Sequence, residues 1–409
     1  MSGQALRFLH ASDFHLDQPF RGLAEIPTHL REALLDAPYL AAERVFDAAL
    51  RERVDFLLLA GDLIDVGNAG PRGISFLLNQ LERMHGQGVA VYWAGGQVDP
   101  PQDWPVAAKL PDGVLVFPCF QGEEHAHFRG DRAVANILGR SWSGASHVGG
   151  GELGFDAAGL FTILVAHGAA DLPRLAERAV DYWALGGEHE RRTLDSSRPI
   201  VHYPGTTQGR SPAELGPRGC TLVQVGEDRI VRSQFIPTDA VRFQAEELVL
   251  EPGENQGDLK LRLNDRMKRL QADAADRLLL ITWTLRGGQR FGAPPQLRGL
   301  ASDLLASLRT DFGQGRAAVW TLAVQFEEQA IIPPAWYEEE SMLGDFLRKL
   351  RGQESADAAL YDLLPYVPAK LQGTKLAAIA DWTDAATRRE VLQEAARLGA
   401  QLLGGDERV

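Results

Sequence analysis

Five short blocks rich in Asp, His and Gly, each placed at the end of an apolar run, constrain this chain more than any other feature. In order they are Asp13-Phe14-His15, Gly61-Asp62-Leu63-Ile64-Asp65, Gly96-Gln97-Val98-Asp99, Ala166-His167-Gly168 and Gly186-Gly187-Glu188-His189. The runs that precede them, among them Leu6–Ala11, Asp55–Ala60 and Val89–Ala94, have the length and content of strands. A single Asp-x-His or Gly-Asp is common by chance, and His10, His85 and His202 read as plain structural residues. An ordered series at successive strand ends implies a fold that presents polar side chains from those ends.

Helical patterns at Tyr39–Arg53 and Ile74–His85 alternate with the first strands, which argues an α/β layered core. Strand patterns then become denser, at Val114–Phe117, Phe161–Ala166, Tyr182–Leu185, Ile200–Tyr203 and Thr221–Val225, and suit a second sheet packed on the first. Tyr203-Pro204-Gly205 is a turn signal. Beyond it, Val241–Val249, Leu259–Gln271, Arg277–Leu285, Leu297–Thr310 and Ala317–Phe326 alternate strand and helix as a small α/β domain would. Ile332-Pro333-Pro334 reads as a linker, and Met342–Leu350, Ala356–Leu364 and Asp384–Leu403 read as helices. With 409 residues to distribute, the expected organisation is a core at 1–238, an α/β domain at 239–334 and a helical segment at 335–409.

The formal net charge of −13 restricts the partners. A protein that binds nucleic acid through bulk electrostatics is basic. Contact with DNA would here need a local basic patch, bound divalent cations, or a partner that supplies the affinity. Cys119 and Cys220 fit no Cys-x-x-Cys pattern, so a reduced, cytoplasmic setting is expected without a disulfide framework. No signal-peptide pattern opens the chain, and no run approaches the ~20 apolar residues that a membrane span needs.

The blocks carry the donor types of a divalent-metal site, imidazole nitrogen and carboxylate oxygen. Paired ions ~3.5–4 Å apart need a bridging carboxylate and further ligands on each side. Asp62, at the tip of an apolar strand, is the natural bridge. Asp13 and His15 alternate about Phe14, so strand geometry would aim both into one site. His167 and His189 end two later strands. Asp65 and Asp99 read as residues that fix the loops around the ligands. Arg191, Arg192 and Arg210 read equally well as phosphate contacts or as solvated arginines.

This ordered set resembles the calcineurin-like metallophosphoesterases, and within them the SbcD/YhaO-type DNA repair exonuclease family. The resemblance rests on Phe8-Leu9-His10-Ala11-Ser12-Asp13-Phe14-His15-Leu16-Asp17, Ala60-Gly61-Asp62-Leu63-Ile64-Asp65, Asp181-Tyr182-Trp183-Ala184-Leu185-Gly186 and Tyr203-Pro204-Gly205-Thr206-Thr207-Gln208-Gly209-Arg210. The last two segments reach beyond the general phosphoesterase pattern. The resemblance implies a four-layer α/β/β/α sandwich with a small capping domain that helps to hold DNA. It implies Mn²⁺, with Asp13, His15, Asp62 and His189 holding a first ion, and Asp62, Gln97 and His167 a weakened second. The implied reaction is attack of a metal-activated water on a DNA phosphodiester, with Asp62 and His167 central and Arg210 on the substrate. The implied partners are a second copy of the chain and an SbcC/YhaN-like ATPase docked on its C-terminal end.

Three positions depart from that pattern. Gln97 replaces an Asn ligand, Val98 the catalytic His, and Gly187 a His ligand. Gln97 keeps a carbonyl oxygen, displaced by one methylene. Val98 can donate no proton, and loss of a general acid costs roughly 10²–10⁴-fold in rate. Gly187 removes a ligand that Glu188 or water would have to replace. An alternative expectation is therefore a pseudo-nuclease scaffold that binds metal and partner without cutting. A weaker one is a small-molecule phosphodiesterase.

Overall fold

Alternation along β1 (Leu6–Ala11) sets the layering. Leu6 and Phe8 join one apolar cluster, and Leu9 and Ala11 join another on the opposite face. The same division runs through the neighbouring strands. The computed structural model describes residues 5–23, 25–144, 147–148, 159–176, 179–197, 199–291, 294–315, 318–327, 333–353 and 385–403.

The chain continues through α1 (Thr28–Arg51), β2 (Phe56–Leu59), α2 (Pro71–Gly86), β3 (Ala90–Ala94) and β4 (Val114–Phe117). Then come β5 (Glu123–Arg129), β6 (Arg132–Arg140), β7 (His147–Val148), β8 (Phe161–His167), β9 (Ala169–Ala170), α3 (Leu172–Ala176), β10 (Tyr182–Gly186), β11 (Arg192–Asp195) and β12 (Ile200–Tyr203). It returns through β13 (Gly219–Val225) and β14 (Val231–Pro237). Two six-stranded mixed sheets result, in the orders β14-β13-β1-β2-β3-β4 and β11-β12-β10-β8-β6-β5. Strands β1 to β4 are mutually parallel, as are β6, β8, β10 and β12, while β13, β14, β5 and β11 pair antiparallel.

Phe8, Phe56, Leu58 and Tyr92 of the first sheet share a cluster with Ile137, Ile163, Val165 and Tyr182 of the second, so the sheets pack face to face. Helices α1 and α2 cover the outer face of the first sheet through Val45, Phe46, Leu77 and Leu81. On the outer face of the second, Leu164, Trp183 and Val201 pack with Leu175 of the short α3 and with Val148. The mixed α/β fold with two packed sheets is thus as expected. Parallel strands place the blocks at their carboxyl ends, where open α/β sheets bind ligands.

Several elements differ from expectation. Helix α1 begins at Thr28 rather than Tyr39 and runs through Pro38. Proline removes one backbone donor, but the buried face of Leu30, Leu34, Ala37, Ala41 and Val45 makes tertiary packing dominant. The hairpin β5-β6 is absent from the expected strands. Strand β5 is an edge strand, exposed along most of its length, and carries little apolar signal. Pro334 opens helix α6 (Pro334–Glu338), where a linker was expected, in the first helical position that proline favours. Ile332 and the expected helix Ala356–Leu364 lie outside the described residues.

The later elements are β15 (Val241–Val249), α4 (Gln256–Asp273), β16 (Leu278–Arg286), α5 (Pro294–Phe312), β17 (Val319–Glu327), α6, α7 (Met342–Gln353) and α8 (Ala385–Leu403), with the three strands paired in the order β15-β16-β17. The chain divides into two compact units, Met1–Glu246 with Lys260–Trp283 and Leu305–Val324, and Glu247–Leu259 with Thr284–Leu304 and Gln325–Val409. Within the second, α7 and α8 pack through Leu343, Leu347, Ala396 and Ala400, and a Cβ on Gly399 would stand 1.9 Å from Phe346 Cε1. No helix among the described residues is long and apolar enough to cross a membrane.

Candidate metal centre

Two backbone loops laced together carry the first ligands. The Asp13 N–H donates to the Gly61 carbonyl at 2.9 Å, and the His15 N–H to the Asp62 carbonyl at 3.0 Å. Asp13, His15 and Asp62 all hold left-handed backbone conformations, with φ of 55°, 44° and 54°. Such conformations are costly for residues with a Cβ and cluster at functional sites. They also correct the expected geometry: β1 ends at Ala11, and loop turns rather than strand alternation aim Asp13 and His15 together. Gly61 permits the close approach, since a Cβ there would lie 2.6 Å from the Gly96 nitrogen and 2.7 Å from His167 Nδ1.

Each carboxylate has one oxygen fixed and one presented. Ser12 Oγ and the Gly187 N–H donate to Asp13 Oδ2, while Asp13 Oδ1 is buried with no hydrogen-bond partner. The Val98 N–H donates to Asp62 Oδ1 at 3.1 Å, and Asp62 Oδ2 faces His167 Nε2 at 3.5 Å and His15 Nε2 at 3.9 Å. His15 Nε2 faces His189 Nε2 at 3.2 Å. Two groups able to hold a cation follow, Asp13 with His15 and His189, and Asp13 with Asp62 and His167, the donor atoms of each lying within 4.8 Å of one another. Asp13 belongs to both groups.

The imidazoles are set up as lone-pair donors. His167 Nδ1 donates to the Ala60 carbonyl at 2.9 Å, and His189 Nδ1 to Glu214 Oε1 at 2.7 Å. Each bond places the ring proton on Nδ1 and leaves Nε2 free. Burial, with Arg210 and the neighbouring histidines, pushes His15 down to about 2, so its ring stays neutral. Burial also raises Asp13. For His167, burial acts downward but is outweighed by Asp13, Asp62, the Ala60 carbonyl and Asp99, which raise it. A buried carboxylate oxygen without a donor, beside three imidazole Nε2 atoms, fits a divalent cation.

The other expected site residues are placed less uniformly. Asp99 is buried and accepts N–H bonds from Asp62, Leu63 and Gly96, so it shapes the ligand loop; burial raises it to about 6 against those donors. Asp65 instead caps its own turn through Asn68, and no bond to a metal-capable residue is seen for it among the described residues. Gln97 is exposed, and no hydrogen bond among the described residues holds it at the cluster. Glu188 joins neither metal-capable group. Gly187 has φ 101° and would bring a Cβ to 3.2 Å from His167 Nε2. Arg210 is buried, not solvated; its Nη1 lies 3.4 Å from the Phe14 carbonyl, and its charge acts on His15, Asp13 and Asp62. Arg191 and Arg192 are exposed. His10 and His202 are buried between the sheets, His10 against Tyr182 and His202 against Thr193 and Thr221.

Two contributors escape the sequence blocks. Thr206 Oγ1 donates to the Asp13 carbonyl at 2.7 Å, and Glu214 holds His189. Thr206 lies within the Tyr203–Arg210 segment. Glu214 follows it in an ordinary polar loop with no motif to mark it.

Residues 6–191 match the family described as calcineurin-like phosphoesterase. Over 346 residues the chain is 28% identical to the uncharacterized metallophosphoesterase YhaO of Bacillus subtilis (strain 168), an alignment spanning 79% of this chain and 82% of the relative. It is similar to a dimetal phosphatase from Danio rerio, at 12% identity and TM-score 0.37 over 56% of this chain and 98% of that one. A phosphoesterase from E. coli, Yfce, is similar at 15% identity and TM-score 0.27 over 56% and 100%. Residues 6–191, which contain both metal-capable groups, thus carry the match to the calcineurin-like phosphoesterase family.

Proposed function

We propose that the chain is a Mn²⁺-dependent DNA exonuclease, acting as a homodimer in complex with an SbcC/YhaN-like ATPase. The observation that carries the hydrolytic reading is the pair of presented carboxylate oxygens, Asp13 Oδ1 and Asp62 Oδ2, facing the Nε2 atoms of His15 and His167. Support for DNA as the substrate comes from the Asp181–Gly186 and Tyr203–Arg210 segments, which resemble the nuclease branch.

Asp13, His15 and His189 would hold one ion, and Asp13, Asp62 and His167 a second, with Asp62 Oδ2 also 3.9 Å from His15 Nε2. Bound divalent cations supply Lewis-acid polarisation of a phosphoryl oxygen and lower the pKa of water. Arg210 adds a buried positive charge that acts on Asp13 and Asp62 and would help to stabilise charge developing on a phosphate. Val98 offers its backbone N–H to Asp62 but no acid to the leaving oxygen.

Exposed Gln97, apolar Val98 and Gly187 favour a second reading, a scaffold that binds metal and partner without cutting. Comparing hydrolysis of DNA with that of a small aryl phosphodiester tests the assignment. Faster turnover of DNA is expected. Turnover of the aryl ester alone would indicate a small-molecule phosphodiesterase, and turnover of neither by Mn²⁺-bearing protein would indicate the scaffold.

A further inference from the structure

Glu214 belongs to none of the blocks and lies 25 residues beyond His189, yet its two oxygens tie together the parts of the site. Oε1 accepts from His189 Nδ1 at 2.7 Å. Oε2 accepts the Arg210 backbone N–H at 2.5 Å. The side chain is 17% exposed, with one oxygen committed to each partner. Its loop is short and braced: the Glu214 N–H donates to the Ser211 carbonyl at 2.9 Å. The His189 backbone is held by the same stretch, since Arg218 Nη1 and the Thr206 N–H both donate to its carbonyl.

The consequence is chemical as well as mechanical. A proton on Nδ1 of His189, shared with Glu214, leaves Nε2 as the lone-pair atom, and Nε2 is the atom that meets His15 Nε2 at 3.2 Å. A histidine that binds a cation gains basicity and a fixed ring plane from such a carboxylate. We propose that Glu214 is the positioning residue of the centre, one carboxylate that sets the metal-binding tautomer of His189 and anchors the loop carrying Arg210.

This inference rests on the reading of the cluster as a cation site. The competing account is an ordinary ion pair between Glu214 and a protonated His189, with no bearing on cation binding. Isothermal titration of Mn²⁺ into the full chain and into Glu214→Ala and Glu214→Gln separates them, beside ¹⁵N-histidine NMR of the metal-free proteins. Mn²⁺ binding should weaken about 10–100-fold in Glu214→Ala. Glu214→Gln should lose less, because its amide oxygen still accepts the Nδ1 proton, and it serves as the deciding variant if Glu214→Ala does not fold. His189 should be the Nδ1–H tautomer in the metal-free wild type and shift from it in Glu214→Ala. Unchanged Mn²⁺ affinity in both folded variants, or an Nε2–H tautomer of His189 in the metal-free wild type, would overturn the proposal. A wild-type chain that binds no Mn²⁺ would overturn the cation reading itself, and the proposal with it, whatever the tautomer.

Discussion

Gly187 stands where the resemblance calls for a histidine, and its φ of 101° makes the departure structural as well as chemical. A side chain there adopts a strained backbone and meets His167 Nε2. Val98 is different, because its side chain is only half-buried and the site uses its backbone N–H alone. Val98→His with Gln97→Asn should therefore raise Mn²⁺-dependent hydrolysis roughly 10²–10⁴-fold, the usual worth of a general acid. Adding Gly187→His should give no further gain and should cost about 1–3 kcal/mol of stability. Rates and thermal midpoints check both, and a Gly187→His protein as stable as its parent would contradict the strain argument.

The interior histidines set a pH dependence. Burial holds His202 down to about 3 and His15 to about 2, against ~6.5 in an unfolded chain. Below that value the unfolded state binds more protons than the folded one, so stability is fully present above about pH 6.5 and is lost as pH falls. Each such group contributes up to ~1.4 kcal/mol per pH unit. Urea unfolding of the metal-free protein at pH 7.5 and 5.0 should show the loss, and His202→Gln should flatten it by about one proton. Equal slopes for variant and parent would count against a neutral His202.

At the scale of elements, Gln208 shows how a loop is fastened to a strand. Its Nε2 donates to the Gly209 and Val241 carbonyls, and its Oε1 accepts from the Ala240 and Val241 N–H groups. Gln208→Ala leaves those buried groups unpaired, at about 1–3 kcal/mol each in the worst case. The variant should lower the thermal midpoint and weaken Mn²⁺ binding together, because the same loop carries Thr206 and Arg210; an unchanged midpoint would contradict this. In the second unit, Gly399→Leu would drive a side chain into Phe346. Amide exchange along α7 and α8 should accelerate in that variant, and unchanged protection would show that the helices do not pack so closely.

Strands with continuous apolar runs, such as β2 and β8, were legible because burial on both faces leaves no ambiguity of pattern. The edge strand β5 was not, since exposure removes the apolar signal. Asp13, His15, Asp62, His167 and His189 could be found because each follows such a run, and the structure brings them together. Glu214 could not, because its role depends on a tertiary contact with a residue 25 positions earlier, across β11, β12 and the turn that follows them. The turns at Asp13 and His15 were equally hidden, as positive φ at a non-glycine residue leaves no mark on composition.

For the whole molecule, the net charge of −13 opposes unaided binding to a polyanion. Divalent cations at the centre and the proposed ATPase partner would together offset it. The most direct test is Mn²⁺-dependent DNA cleavage by the purified chain beside Asp62→Ala, with and without the ATPase. Asp62 faces both His15 and His167, so its removal should abolish cleavage while leaving the fold intact. Cleavage by the parent that Asp62→Ala eliminates is the predicted result; no cleavage under any condition by folded, Mn²⁺-loaded chain would contradict the nuclease assignment and leave the scaffold.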